Sequence, residues 1–166
     1  MIRLIKWLFG FDRKDIEVTI HRQSVIHSMI RTKEGAIYAQ LSPPDMTLPI
    51  MAAIADKKLE LKDIVRPLSF DNLTLTFEKP DLDKFKMLAL AFDALNKKGS
   101  YPIAYNAANE FAVAEFIKGT ISFNDIPKIT EYVMSFDFIK PSMDFDSVIV
   151  NDRRARELAK EALCNL

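Results

Sequence analysis

Any chemistry in this chain has few residues to start from. Two histidines, His21 and His27, the serine Ser24 between them and a single cysteine, Cys164, are the side chains suited to acid–base, nucleophilic or metal work. A catalytic zinc centre needs three protein ligands in convergent geometry. Neither histidine belongs to an HxxxH or HxH pair, and no carboxylate cluster lies near them. Ser24 and His27 sit three positions apart, so on an extended strand they point to opposite faces, which argues against a nucleophile–base dyad. The spacing favours a pair of hydrogen-bonding residues at a sheet rim. A lone cysteine excludes an internal disulfide framework and any multi-cysteine metal site, and it suits a reducing, cytoplasmic setting. The four glycines, Gly10, Gly35, Gly99 and Gly119, lie too far apart for a GxGxxG loop or a Walker A motif. A nucleotide-binding fold is therefore not expected among these residues.

The remaining polar groups have structural explanations. Asn106-Ala-Ala-Asn-Glu110 reads as a capped helix start, with Asn106 as N-cap. Asp144, Asp146 and Asp152 with Arg153 and Arg154 read as solvated surface and helix-dipole charge. Met29, Met46, Met51, Met87, Met134 and Met143 read mostly as core filler.

The elements that must carry these residues form an α+β pattern: a small antiparallel sheet region, a connector and a C-terminal four-helix bundle. The chain has 166 residues, 49% apolar and 28% charged, enough to bury a core. Lys+Arg and Asp+Glu balance at 23 each, which removes the field that a general nucleic-acid or acidic-membrane binder needs. No stretch approaches the roughly 20 apolar residues that span a bilayer. Arg3 and Lys6 interrupt the N-terminal apolar run, which makes a poor signal peptide. Ile2, Ile5, Leu8 and Phe9 share a helical face, expected to pack on the rest of the protein.

Alternation predicts a strand over 16–20, then strands over 24–31 and 36–41 joined at Lys33-Glu34-Gly35, with one face of each packed. Ser42-Pro43-Pro44-Asp45 breaks the pattern, and a helix is expected over about 48–58 with Pro49 in its first turn. A further strand is expected over 73–77. Beyond Asp81 the pattern is helical. The first helix carries Phe85, Leu88, Ala89, Phe92 and Leu95 on one face and ends at Gly99. The second starts at Asn106, the third at Asn124 or Asp125 and the fourth near Asn151-Asp152.

Several of these segments also resemble a known family. Ile20-His-Arg-Gln-Ser-Val-Ile-His-Ser-Met-Ile30, followed by Ala39-Gln-Leu-Ser-Pro-Pro-Asp-Met46 and Pro49-Ile50, is similar to 1-deoxy-D-xylulose 5-phosphate reductoisomerase. Trp7-Leu-Phe-Gly10, Leu68-Ser-Phe70 and Asn106-Ala-Ala-Asn-Glu110 continue the resemblance in order, from about Trp7 to Leu163. It implies an enzyme that converts 1-deoxy-D-xylulose 5-phosphate to 2-C-methyl-D-erythritol 4-phosphate in non-mevalonate isoprenoid biosynthesis. The reaction is a rearrangement followed by hydride transfer from NADPH, assisted by Mg²⁺ or Mn²⁺, in a homodimer.

By the same resemblance, residues 1–44 are the end of a catalytic domain, 45–81 a connector and 82–166 the helical bundle. The family's cofactor loop, metal carboxylates and phosphate-binding serines have no counterpart here, so no catalytic or metal-ligating residue is assigned. The isolated chain is expected to bind no cofactor and to be inactive, requiring an upstream half of the same enzyme. The alternative is a non-catalytic remnant or oligomerisation module. Ser24 and His27 match positions near the substrate, while Pro44 and Met46 match positions lining the nicotinamide and substrate pocket. Arg22 departs from the usual His-Pro-Gln-Ser. Met1 stands where the family's Asn-Lys-Gly-x-Glu motif places its glutamate, and a thioether cannot replace a carboxylate on Mg²⁺. A start codon downstream of a frame break would produce this arrangement; an intact upstream reading frame would contradict it.

Overall fold

The computed structural model describes residues 8–54 and 67–166 and is an α+β protein. It forms two compact units, one joining the residues up to Glu17 with Asp81–Leu166 and the other comprising Val18–Pro80.

The helical unit contains α2 (Lys86–Lys97), α3 (Tyr101–Ile117), α4 (Asp125–Met134) and α5 (Phe145–Cys164). Its core is rich in alanine. Ala104, Ala107, Ala108 and Ala112 of α3 are fully buried, as are Ala155 and Ala159 of α5, so these helices pack through small side chains. Ile126, Ile129 and Val133 of α4 and Phe138 fill the remaining space. The buried face of α2 follows the expected periodicity at Phe92 and Leu95, but Phe85 is its N-cap and half exposed. The N-terminal stretch adds a single 3₁₀ turn, Arg13–Asp15, whose Arg13 guanidinium lies 3.4 Å from the centroid of the Phe92 ring.

Two helix starts differ from the sequence expectation. α3 begins at Tyr101 rather than after Asn106, because Pro102 occupies its first turn and its fixed φ suits that position. Asn106 therefore lies inside the helix, where its amide donates to Glu110 Oε1 at 2.7 Å. α5 begins at Phe145 rather than near Asn151. Asp144 caps it, with Oδ1 accepting from the Ser147 backbone N–H at 2.7 Å and the Asp144 N–H donating to Ser147 Oγ at 3.2 Å.

At the start of α4, Asp125 accepts hydrogen bonds from Lys128 Nζ at 2.7 Å and from the Ser122 backbone N–H at 2.9 Å. The Lys128 ammonium, the Ser122 hydroxyl and the Ser122 amide hold its carboxyl down at about 2, below the ordinary 3.8. A depressed carboxyl stabilises the fold above its unfolded value and loses that contribution as pH falls through the folded one. The Asp125 carboxyl ¹³C shift should accordingly titrate near 2. Asp125→Asn should remove part of the acid-side fall in melting temperature between about pH 4 and 2. A midpoint at the ordinary carboxylate value would contradict this arrangement.

The second unit is built on a two-stranded antiparallel hairpin, β1 (Ile26–Arg31) and β2 (Ile37–Leu41), with a bulge between Ile26 and Ser28. The turn is the expected one. Gly35 takes a φ of 91°, and the Thr32 N–H donates to Ala36 O at 2.8 Å. In place of the expected packed face, β1 and β2 are exposed on both faces: Met29 at 42%, Ile30 at 67%, Ile37 at 54% and Tyr38 at 66%. Met46 and Met143 are likewise exposed rather than core filler, whereas Met134 is buried.

The strands expected over 16–20 and 73–77 do not form ladders. Only Ile20 pairs, through an isolated antiparallel bridge to Glu78. The alternation there is too short to sustain a ladder once 13–15 has turned into a 3₁₀ helix. After β2, α1 (Thr47–Ile54) matches the start of the expected helix, and its continuation to 58 lies outside the described residues. The face formed by Ile2 and Ile5 lies outside them as well, and Leu8 and Phe9 are exposed. Among the described residues, no helix is long and apolar enough to cross a membrane.

Candidate pocket wall

The antiparallel register places the four residues selected from the sequence at one end of the hairpin. Ile26 faces Leu41, and the Ser42 N–H donates to Val25 O at 3.0 Å, which extends the pairing past the bulge. Ser24 and His27 therefore sit at the entry to β1, and Pro44 and Met46 sit just beyond the exit of β2. All four are exposed, Met46 at 69%.

Each side of this end is held by local bonds. Ser24 has a φ of 52°, and its N–H closes a tight turn on His21 O at 3.1 Å. Asp45, between Pro44 and Met46, accepts from the Thr47 backbone N–H at 2.8 Å and from Thr47 Oγ1 at 2.7 Å, which caps α1. Those two donors lower the Asp45 carboxyl below its ordinary value. Ser42 is buried and bonded to Pro43 O.

His21 is a packing residue. Its Nδ1 bonds to Thr76 O at 2.9 Å, so that nitrogen carries the proton. The ring stacks on Phe77 with centroids 5.0 Å apart. Its Nε2 is buried, leaving no nitrogen for a ligand in solvent. Among the described residues, no three His, Cys, Asp or Glu side chains gather as a metal site would require. A hydroxyl, an imidazole, a pyrrolidine and a thioether do not make the oxygen cage that Mg²⁺ prefers. The four selected side chains thus do not fit a resident divalent metal. The four glycines are also too far apart in sequence to form a Gly-rich phosphate loop.

Two polar features of the helical unit lie apart from this wall in sequence. Arg156 donates to Glu110 Oε2 at 2.7 Å and to Asp152 Oδ2 at 2.7 Å, tying α3 to α5. The Arg156 guanidinium and the Asn106 amide hold the Glu110 carboxyl below its usual range. Spacing alone assigns Asn106 and Glu110 to a helix start; the structure makes them part of an interhelical network. A depression of about 680 Å³ beside Ile121, Ser122, Asp125 and Leu163 contains none of the residues selected from the sequence.

Against known proteins, the family model for the DXP reductoisomerase C-terminal domain matches residues 41–158. The chain belongs to this family. It is 46% identical to the 1-deoxy-D-xylulose 5-phosphate reductoisomerase of Treponema denticola over 153 residues, covering 92% of this chain and 40% of that enzyme. With the Acetivibrio thermocellus reductoisomerase it shares 47% identity over 160 residues, 93% of this chain and 41% of that one. The fold superposes on the Zymomonas mobilis enzyme solved in complex with NADPH at a TM-score of 0.85 and 36% identity, covering 95% of this chain and 42% of that chain. A reductoisomerase solved with NADPH, fosmidomycin and magnesium gives a TM-score of 0.84 at 34% identity, over 95% of this chain and 41% of that chain. The chain thus spans about 40% of the length of the curated relatives it matches. Pro44 and Met46 fall inside the segment matched by the family model, and Ser24 and His27 precede it.

Proposed function

We propose that this chain supplies the C-terminal portion of a 1-deoxy-D-xylulose 5-phosphate reductoisomerase. The complete enzyme converts the pentulose phosphate to 2-C-methyl-D-erythritol 4-phosphate with NADPH and a divalent metal in non-mevalonate isoprenoid biosynthesis. In this reading residues 1–44 end the catalytic domain, 45–81 form the connector and 82–166 the helical domain of a cytoplasmic homodimer. The observation that carries the reading is the family match over 41–158 in a chain that spans about 40% of its relatives.

The part played by this chain is to shape one wall of the pocket. Ser24 and His27 offer a hydroxyl and an imidazole, which can hydrogen-bond to the oxygens of a phosphorylated polyol. Pro44 and Met46 offer apolar surface, suited to a nicotinamide ring or a carbon chain. None of the four carries the hydride or the metal. The groups that do so come from the rest of the enzyme, so these residues alone perform no turnover.

The test is to mix the purified chain with NADPH, Mg²⁺ and 1-deoxy-D-xylulose 5-phosphate and to follow both nicotinamide absorbance and NADPH binding. No turnover and no measurable NADPH binding are expected. Tight NADPH binding by the chain alone would overturn the assignment of cofactor binding to another part of the enzyme.

A further inference from the structure

The segment before Ser24 is joined, side chain by side chain, to a segment more than fifty residues later. Arg22 Nη2 donates to Glu78 Oε2 at 2.9 Å while its Nε donates to Oε1, a two-point pair across a separation of 56 residues. Beside it, the Gln23 side-chain oxygen accepts from the Thr76 backbone N–H at 3.2 Å and from Thr76 Oγ1 at 3.1 Å. His21 contributes its bond to Thr76 O and its stack on Phe77. The Ile20 and Glu78 backbones exchange N–H to carbonyl bonds, each 2.9 Å long. Every residue from Ile20 to Gln23 is thus tied to 76–78, and the next residue, Ser24, is the one with a φ of 52°.

A serine held in the left-handed region costs about 1–2 kcal/mol and persists only where its surroundings over-determine it. We propose that 76–78 is the buttress of the pocket wall, with Arg22 and Glu78 acting as positioning residues that set the conformation and orientation of Ser24. This rests on the reading of Ser24 as a wall residue. It gives the end of the stretch 73–77, expected from sequence to be a strand within the connector, and the adjoining Glu78 a role in the site. It also accounts for an arginine at the position before Gln23-Ser24: the paired guanidinium fixes a turn that an unpaired, flexible side chain would leave loose. Arginine suits this role because its planar fork matches a carboxylate at two points.

The test uses the full chain and two readouts at Ser24, amide hydrogen exchange and the ¹³Cα and ¹³Cβ shifts that report φ. Glu78→Gln keeps the size of the side chain and removes its charge. It should speed exchange at Ser24 and Ile20 about threefold to fivefold, the scale of one well-formed surface pair, and move the Ser24 shifts toward unstructured values. The swap of Arg22→Glu with Glu78→Arg should recover most of both effects, and Arg22→Lys alone, which loses the two-point geometry, should loosen Ser24 much as Glu78→Gln does. Amides of α3 and α4 serve as the folding control and should not change. Unchanged exchange and shifts at Ser24 in Glu78→Gln, or a swapped pair as loose as the single variant, would overturn the proposal. These readouts need no substrate or cofactor, so failure here is distinct from failure of the enzymatic reading, which the NADPH experiment addresses.

Discussion

Replacing Gly99 with alanine should destabilise the helical unit by about 3 kcal/mol or more, a shift on the order of 10–20 °C in its melting temperature. Gly99 has a φ of +54°, and a Cβ placed there would stand 2.2 Å from Ile139 O and 2.6 Å from Phe138 O. Those are backbone atoms, and the loop that bears them is pinned from several directions. The Ser100 N–H donates to Phe138 O at 2.8 Å and Ser100 Oγ to Lys140 O at 2.6 Å. Arg154 donates to Asp137 O at 2.8 Å and lies 4.7 Å from the centroid of the buried Phe138 ring. Relief of the clash would therefore have to break bonds on a buried serine or withdraw Phe138 from the core. Gly119 is the internal comparison, because its φ is +78° but a methyl group placed there would meet nothing within 4 Å. Gly119→Ala should cost only the left-handed strain, about 1–2 kcal/mol. Equal losses from the two substitutions, measured by thermal unfolding, would show that the approach of 138–139 to Gly99 does not govern the effect.

The second large effect concerns the hairpin. A two-stranded ribbon is marginal in water without a third strand or a packed helix, and β1 and β2 are exposed on both faces. In contrast, Ile129 and Val133 of α4 are fully buried. Amides of β1 and β2 should exchange at least ~100-fold faster than those of α4, since local opening spans the whole range from near zero to the global stability. Equal protection across 16–41 and 82–163 in a demonstrated monomer would contradict this. The same exposure makes Ile30, Ile37 and Tyr38 candidates for association in solution.

How much of this is legible in the sequence follows from the range of the forces involved. Periodicity reports α2 and α4 well, because a buried stripe such as Phe92 and Leu95, or Ile126, Ile129 and Val133, is a local signal. The hairpin turn is equally local, resting on Gly35 and the residues beside it. The start of α3 is not, because an apparent cap at Asn106 outweighs the proline that sets the true beginning. Ser100, just before that helix, is buried by bonds to a carbonyl 40 residues away, and no local pattern announces such a contact. The buttress at 76–78 escapes for the same reason, since Arg22 and Glu78 look like ordinary solvated charges until the fold pairs them. The four residues proposed for the wall emerge through resemblance. Spacing alone can place Ser24 and His27 at a sheet rim but cannot connect them to Pro44 and Met46.

The most direct test of the central claim is reconstitution. The chain would be mixed with a separately expressed N-terminal portion of the Treponema denticola reductoisomerase, ending where this chain's similarity begins, together with NADPH, Mg²⁺ and 1-deoxy-D-xylulose 5-phosphate. Nicotinamide oxidation should appear in the mixture and in neither component alone. A mixture that forms a complex, shown by co-elution, yet consumes no NADPH would contradict the claim and leave a non-catalytic module in its place.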